Sequence, residues 1–361
     1  MKKANPLKHL TLAAALLALA ACQQDAPRAE EKTPAKPEAP AVPFGFAEAT
    51  GELPPLSAEL ATLPVQVALD RLGFSPGVID GKEGQSLKLA IKGFQLANDL
   101  PESGELDAAT KAALDRNPAV PPTRRVTIPA DFANQRFVPN LPEDAAAQAQ
   151  LPALGYRDLM EALAERFHTT PETLVALNSA DTAIGAGKII IVPNIAEAMP
   201  PHAEDAERGW DKTLASLGIS PEQPEIERIV VDKSEGWLRA YGANDRLIAQ
   251  YPVTTGSEQD PLPLGDWTVK GVARNPDYSF DPELLRNESD DQEKQMLKPG
   301  PNSPVGVVWI DLSKEHYGIH GTPVPASIGH AESNGCVRLT NWDAARLAQM
   351  VKPGVKVVFK A

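Results

Sequence analysis

The chain has 361 residues, of which 35 are basic and 48 acidic, giving a formal net charge of −13, and 42% of its side chains are hydrophobic. That is length enough for more than one core, while the acidic balance argues against nucleic acid as a partner and against a basic face held on anionic lipid. Two cysteines occur, Cys22 and Cys336.

At the start, Lys2, Lys3 and Lys8 flank the apolar run LTLAAALLALAA. The run is short for a bilayer span and small residues follow it, which is the layout of a secretory signal. Leu19-Ala20-Ala21-Cys22 resembles the lipobox of bacterial lipoproteins. The resemblance implies a leader over 1–21, lipid on Cys22, and attachment to a membrane through acyl chains that contribute ~0.8 kcal/mol per buried methylene. Gln23 stands where an aspartate would retain an enteric lipoprotein in the inner membrane, so the expected location is the periplasmic face of the outer membrane. Residues 22–57 are rich in Pro, Ala and Glu and read as a disordered tether. About 35 residues in polyproline-like form would reach at most ~110 Å.

The first ordered unit spans 58–118. Val65, Ala68, Leu69 and Leu72 make an apolar helical face after Pro64, Leu87, Ile91 and Phe94 make a second, and Asp107 is placed to cap a third helix. The run from Val65 to Leu114, with LGFSPGVIDG followed by GFQ, resembles the small three-helix peptidoglycan-binding domain of cell-wall enzymes. Residues 150–197 form the next unit. Leu159, Leu163 and Phe167 share a helical face, Thr170-Pro171 opens a second helix, and KIIIVPN reads as a strand. This pattern is similar to a LysM-type glycan-binding module whose first strand is poorly marked. His168, at the helix end, reads as solvated or capping.

From 225 to 361 the period changes to two. ERIVVD, GWLRAYG, RLIAQYPVTTG, GDWTVKGVA and VGVVWIDL are short strand-like runs broken by turn residues, which predicts a mainly antiparallel sheet. One late helix is expected, with Thr340 and Asp343 as a capping box, Ala344, Leu347, Ala348 and Val351 buried, and Pro353-Gly354 ending it. The fold class is therefore multidomain α+β.

If Cys22 is acylated, Cys336 is a single thiol in an oxidising compartment, where it can close no intramolecular disulfide. It is then an inert core thiol, a metal ligand or a nucleophile. The polar, glycine-bearing ESNGCVR argues against the first. Zinc could draw on His316, His320, His330 and Cys336, with His316 and His320 on one strand face, but that leaves the other residues of the segment without a role. A nucleophile needs a base held on rigid backbone, which His320 in YGIHGT offers, and Gly335 allows close backbone approach.

The segment HGT followed by SNGCVRLTNWD, with PLPLGDWTV upstream, resembles the signature of the L,D-transpeptidases of the YkuD type, from about Ile226 to the C-terminus. The resemblance implies Cys336 as nucleophile, His320 as base, Ser333 and Gly335 shaping the site, and Thr322, Asn334 and Arg338 contacting substrate. It departs from the family at Asn334, where a histidine usually stands; His330 is a second candidate base. The reaction that the resemblance implies is acyl exchange on peptidoglycan. The thiol takes the acyl group of a tetrapeptide stem, releases D-alanine, and passes the acyl group to an amine to give a 3→3 crosslink, with no metal or cofactor. Two alternatives share the same features: a hydrolase or protein-attaching enzyme on the same acyl-enzyme, and a non-catalytic wall-binding scaffold.

Overall fold

The computed structural model describes residues 44–118, 120–196, 206–284, 293–333 and 335–361. The leader, Cys22, the tether up to residue 43, and Asn334 lie outside the described residues.

The expected tether ends earlier than residue 57. Phe46 is buried and stacks edge-on against Phe132 and Phe167, and the two-residue strand β1 (Ala47–Glu48) pairs antiparallel with β2 (Thr123–Thr127). The stretch PFGF carries the large apolar groups that the Pro/Ala/Glu-rich part lacks, so it can offset the entropy of being ordered.

Three helices follow: α1 (Leu63–Arg71), α2 (Gln85–Ala97) and α3 (Ala108–Leu114). Asp107 caps α3 as expected, accepting the Thr110 N–H at 2.7 Å. Leu69, Leu87, Ile91, Phe94 and Ala113 form their common core. The helices are also buried on their other sides. Leu63 and Val67 of α1 join the core of the next unit, and Leu89 of α2 packs with Val230 and Trp237 of the C-terminal sheet.

In the second unit, β2 pairs antiparallel with β3 (Ile189–Pro193). Between them lie two short helices, α4 (Ala130–Ala133) and α5 (Ala145–Ala149), then α6 (Leu159–Arg166) and α7 (Pro171–Asn178). Asp158 and Thr170 cap α6 and α7 through the Glu161 and Thr173 N–H groups. Leu163 and Phe167 are buried on the expected face. The strand that completes this strand–helix–helix–strand layer is β2, upstream of the expected boundary at 150, and the excursion carrying α4 and α5 separates it from the helices. His168 is not solvated; it is fully buried.

Helix α8 (Trp210–Leu217) leads into the third unit. Its strands are β4 (Arg228–Asp232), β5 (Trp237–Tyr241), β6 (Leu247–Pro252), β7 (Gly265–Arg274), the hairpin β8 (Tyr278–Phe280) and β9 (Gln295–Leu297), then β10 (Val308–Leu312), β11 (Gly318–His320), β12 (Val337–Arg338) and β13 (Lys356–Lys360). Eight of them form one sheet in the order β12-β11-β10-β7-β13-β4-β5-β6, antiparallel except for the parallel pairs β13–β4 and β11–β12. Just past β6, Thr254 exchanges backbone hydrogen bonds with Arg338 of β12, the opposite edge strand. The sheet thus curls until its ends meet, and α9 (Asn341–Met350) packs against it with Trp342, Ala344, Leu347 and Ala348 fully buried. Only half of the expected capping box forms. Thr340 Oγ1 accepts the Asp343 N–H at 3.1 Å, but the Asp343 carboxylate turns to Ser75 Oγ, 2.8 Å away.

The described residues from Phe44 onward belong to one compact unit, and a buried polar cluster ties its parts together. Asp70 of α1 lies 3.5 Å from the Arg346 guanidinium of α9 and 3.2 Å from His168 Nδ1. His168 Nε2 donates to the Leu217 carbonyl at 2.9 Å, and its ring stacks on Trp342 with centroids 5.1 Å apart. Burial acts to raise the Asp70 pKa, but Arg346 and then His168 outweigh it and hold the carboxyl well below its ordinary range. A second junction lies at the sheet edge. Phe74 pairs in parallel with Gln250 of β6, which covers an otherwise open edge. The Gln250 amide donates to the Leu89 carbonyl, and a Cβ on Gly93 would come within 2.7 Å of Gln250, so α2 sits close because residue 93 is glycine.

Removing one partner from a buried ion cluster strands the others. Asp70→Ala is expected to cost about 3–5 kcal/mol at neutral pH, measured by urea unfolding. Because the folded-state pKa of Asp70 is depressed, its contribution is present above the ordinary Asp range and fades as pH falls below it. The difference between wild type and variant should shrink in acid.

Candidate active site

The register of three strands assembles the site. On β11 and β12, Ile319 pairs with Val337 and His320 with Arg338. On the other side of β11, His320 pairs with Trp309 of β10. Directly paired residues face the same side and side chains alternate along a strand, so Trp309, His320 and Arg338 lie in one row. Continued by one residue, the alternation puts Cys336 on the face of Arg338, beside Gly318 and diagonal to His320.

His320 is buried, and its Nδ1–H donates to the Gly321 carbonyl at 2.7 Å. That bond fixes the tautomer and leaves Nε2 with a free lone pair. The ring stacks on Trp309 at 5.5 Å and 19°. Burial and the Arg338 charge push its pKa down to about 4, against the Gly321 hydrogen bond. The Cys336 thiol moves the opposite way: burial raises its pKa, although the Gly318 backbone and Arg338 both favour the thiolate. At neutral pH the pair therefore rests as thiol and neutral imidazole, an acceptor ready for the sulfur's proton.

Gly335 is required twice over. Its φ is +96°, and a Cβ there would meet the Tyr317 ring at 2.8 Å. Ser333 Oγ donates to the Cys336 carbonyl at 2.6 Å, and its backbone pairs with Thr255 and Ser257. It fixes the turn that carries the sulfur. Thr322 Oγ1 accepts the Val324 N–H at 3.3 Å in the turn after β11. Arg338 is half-buried, and its Nε has no hydrogen-bond partner among the described residues. Burial lowers its pKa while Cys336 and Tyr278 oppose that shift.

The four residues weighed as a zinc set, His316, His320, His330 and Cys336, are not grouped as metal ligands among the described residues. His316 is exposed with φ +63°, in the turn before β11 and not on its face, and His330 is exposed in its loop. Among the described residues no group of three or more His, Cys, Asp or Glu side chains could hold a metal ion.

Residues 226–359 match the L,D-transpeptidase catalytic domain family YkuD, and residues 63–114 match the putative peptidoglycan binding domain family. The putative L,D-transpeptidase YkuD of Bacillus licheniformis is 30% identical over 202 residues, 55% of this chain and 92% of that protein. The chain belongs to the L,D-transpeptidase family. The putative L,D-transpeptidase YkuD of Bacillus subtilis is 35% identical over 114 residues, 32% of this chain and 54% of that protein. A solved L,D-transpeptidase from Mycobacterium smegmatis aligns over 38% of this chain and 59% of its own, at 22% identity and a TM-score of 0.31.

Within this L,D-transpeptidase, sequence reading missed the aromatic walls. Trp309 lies against Gly318, where a Cβ would sit 2.5 Å from the indole, and Tyr317 flanks Gly335. The alternation of VVWIDL puts Trp309 opposite its buried valine and isoleucine neighbours, a signal that was available.

The imidazole accepts a proton only when unprotonated. Cys336 acylation is expected to fall as pH drops through about 4 and to hold level from there towards neutrality. Single-turnover acylation followed by intact-protein mass tests this, and His320→Gln should remove the inflection.

Proposed function

We propose that this L,D-transpeptidase uses Cys336 to take the acyl group from peptidoglycan tetrapeptide stems and passes it to an amine acceptor, forming 3→3 crosslinks. The observation that carries the reading is His320 held in register with Arg338, two residues after Cys336, with its Nδ1 tied to Gly321 and Nε2 left free.

The chemistry uses that geometry directly. Cys336 sulfur attacks the carbonyl carbon of the third stem residue while His320 Nε2 takes the thiol proton. The imidazolium returns that proton to the amine of departing D-alanine, leaving a thioester. The acceptor amine then attacks the thioester carbon, His320 removes the excess proton, and the sulfur leaves and is reprotonated. Exchanging one amide for another needs no external energy source. Arg338, cationic and short of a partner at Nε, is suited to the carboxylate of the donor stem. Trp309 and Tyr317 wall the groove against water, which would otherwise hydrolyse the thioester.

The helical unit at 63–114 and the LysM-like layer built from β2, α6, α7 and β3 supply wall-binding surfaces, the second by its strand–helix–helix–strand order. Cys22 lipid and the tether would hold the enzyme at the periplasmic face of the outer membrane.

Incubation with defined tetrapeptide muropeptides, read by mass, tests the reaction. Crosslinked dimers with loss of D-alanine are expected; tripeptides alone would show a hydrolase and unchanged substrate a scaffold. Cys336→Ala should abolish turnover, and His320→Ala should lower it ~10²-fold or more. For the anchor, wild type should fractionate with membranes and Cys22→Ala should not. If the variant stays with the membrane, the lipid proposal is wrong.

A further inference from the structure

We propose that Asn341 is a positioning residue for His320 and that Glu165, on helix α6 of the second unit, anchors it, so that the second unit forms part of the support of the reacting pair. The proposal rests on His320 being the base. Asn341 is fully buried at the start of α9. Its Oδ1 accepts the Val307 N–H at 3.3 Å, and its Nδ2 donates to the Glu165 carboxylate at 3.0 and 3.2 Å and to the Pro301 carbonyl at 3.1 Å. The amide is wedged between two glycines. A Cβ on Gly306 would lie 2.0 Å from Asn341 Oδ1, and one on Gly321 would lie 2.3 Å from it. Gly321 is the residue whose carbonyl holds His320 Nδ1.

Contact therefore runs without a gap from Glu165 through the Asn341 amide to the Gly321 backbone and the imidazole. The link from β12 into α9 is tied to the same strand, because the Leu339 N–H donates to the His320 carbonyl at 2.8 Å. Glu165 is itself held. Tyr156 donates its hydroxyl to Oε2 at 3.1 Å. Burial raises the Glu165 pKa to about 8, with Asn341 and Tyr156 opposing and Glu161 adding to the rise. A buried carboxyl kept at that cost, and paired with the active-site layer of a different unit, is more than surface filler. Without the Asn341 wedge, the turn at Gly321 can relax, the Nδ1 bond loosens, and the imidazole loses its fixed orientation.

The test is alkylation of Cys336 by iodoacetamide across pH 5 to 9 in the full chain, with folding checked by circular dichroism and the melting temperature. A held base assists the thiol below its own pKa, so the wild-type rate should stay high at pH 6. Asn341→Ala should lower the rate at pH 6 ~10-fold and leave it within ~2-fold at pH 9, where thiolate forms unaided. Glu165→Ala should move it the same way by less, and Glu165→Gln, which still accepts from Asn341, should recover most of that loss. A purely structural role would change stability without this pH-dependent split. If Asn341→Ala does not fold, Glu165→Ala carries the test from the other side of the contact. Folded alanine variants with the wild-type profile overturn the inference. His320→Ala is the control: if it too leaves the profile unchanged, the assignment of the base fails instead.

Discussion

Asp70 is a carboxylate taken out of water where three separately cored units meet, and it is tenable there because Arg346 and His168 reach it from the other two. An ion this deeply buried costs several kcal/mol in desolvation, and a single partner seldom returns that much. Here the cost is shared across the units, so separating any one of them would expose the apolar faces at the joint and also strand charge in the remainder. Arg346 is held more strongly protonated by Asp70, Tyr251 and Asp343 than a free guanidinium would be, and burial works against it. The Asp343 carboxyl is raised to about 6, by burial first and by Asp70. Mutual dependence of this kind makes three small cores behave as one body.

The catalytic face inherits its rigidity from the same construction. β11 carries His320 and β12 begins one residue after Cys336, and two strands this short would fray alone. They are held by β10 on one side, by the segment after β6 closing the curl on the other, and by α9 beneath. Within that frame both reacting groups rest uncharged. Burial is the first cause of the low imidazole pKa and of the high thiol pKa. Arg338 pulls in two directions, since it favours a thiolate and disfavours an imidazolium. A resting thiol is a poorer target for oxidants than a thiolate, so the nucleophile is made at the moment of attack and not stored.

The residues proposed to react are legible in the sequence because they lie in one short segment, HGT to CVR, where spacing and residue type suffice to nominate them. The helices of the first unit were legible too, since Leu87, Ile91 and Phe94 repeat at helical period. What could not be read was the partner of each helix's second face. Periodicity marks Gln66 and Asp70 as the polar side of α1, and both are buried: Asp70 meets charge from the other two units, and Gln66 is bonded to Asp80, Gly81 and Lys82 of its own. The strand TRRVT hid for a related reason. Its arginines gave it a solvated look, yet Arg124 lies over the Phe167 ring at 5.8 Å and Val126 is fully buried. His168 was misplaced because no local pattern reveals a carboxylate 98 residues away in sequence.

A rigid joint does different work from a loose linker. A wall-binding unit on a loose linker raises the local concentration of substrate and leaves its orientation free. Here α2 is keyed to β6 through Gly93 and Gln250, and the second unit reaches Gly321, next to His320, through Glu165 and Asn341. The entropy of fixing those units against the catalytic sheet is met once, in folding, and does not recur with each encounter. A strand of wall gripped by the 63–114 unit would therefore meet the face that carries His320 in a set direction.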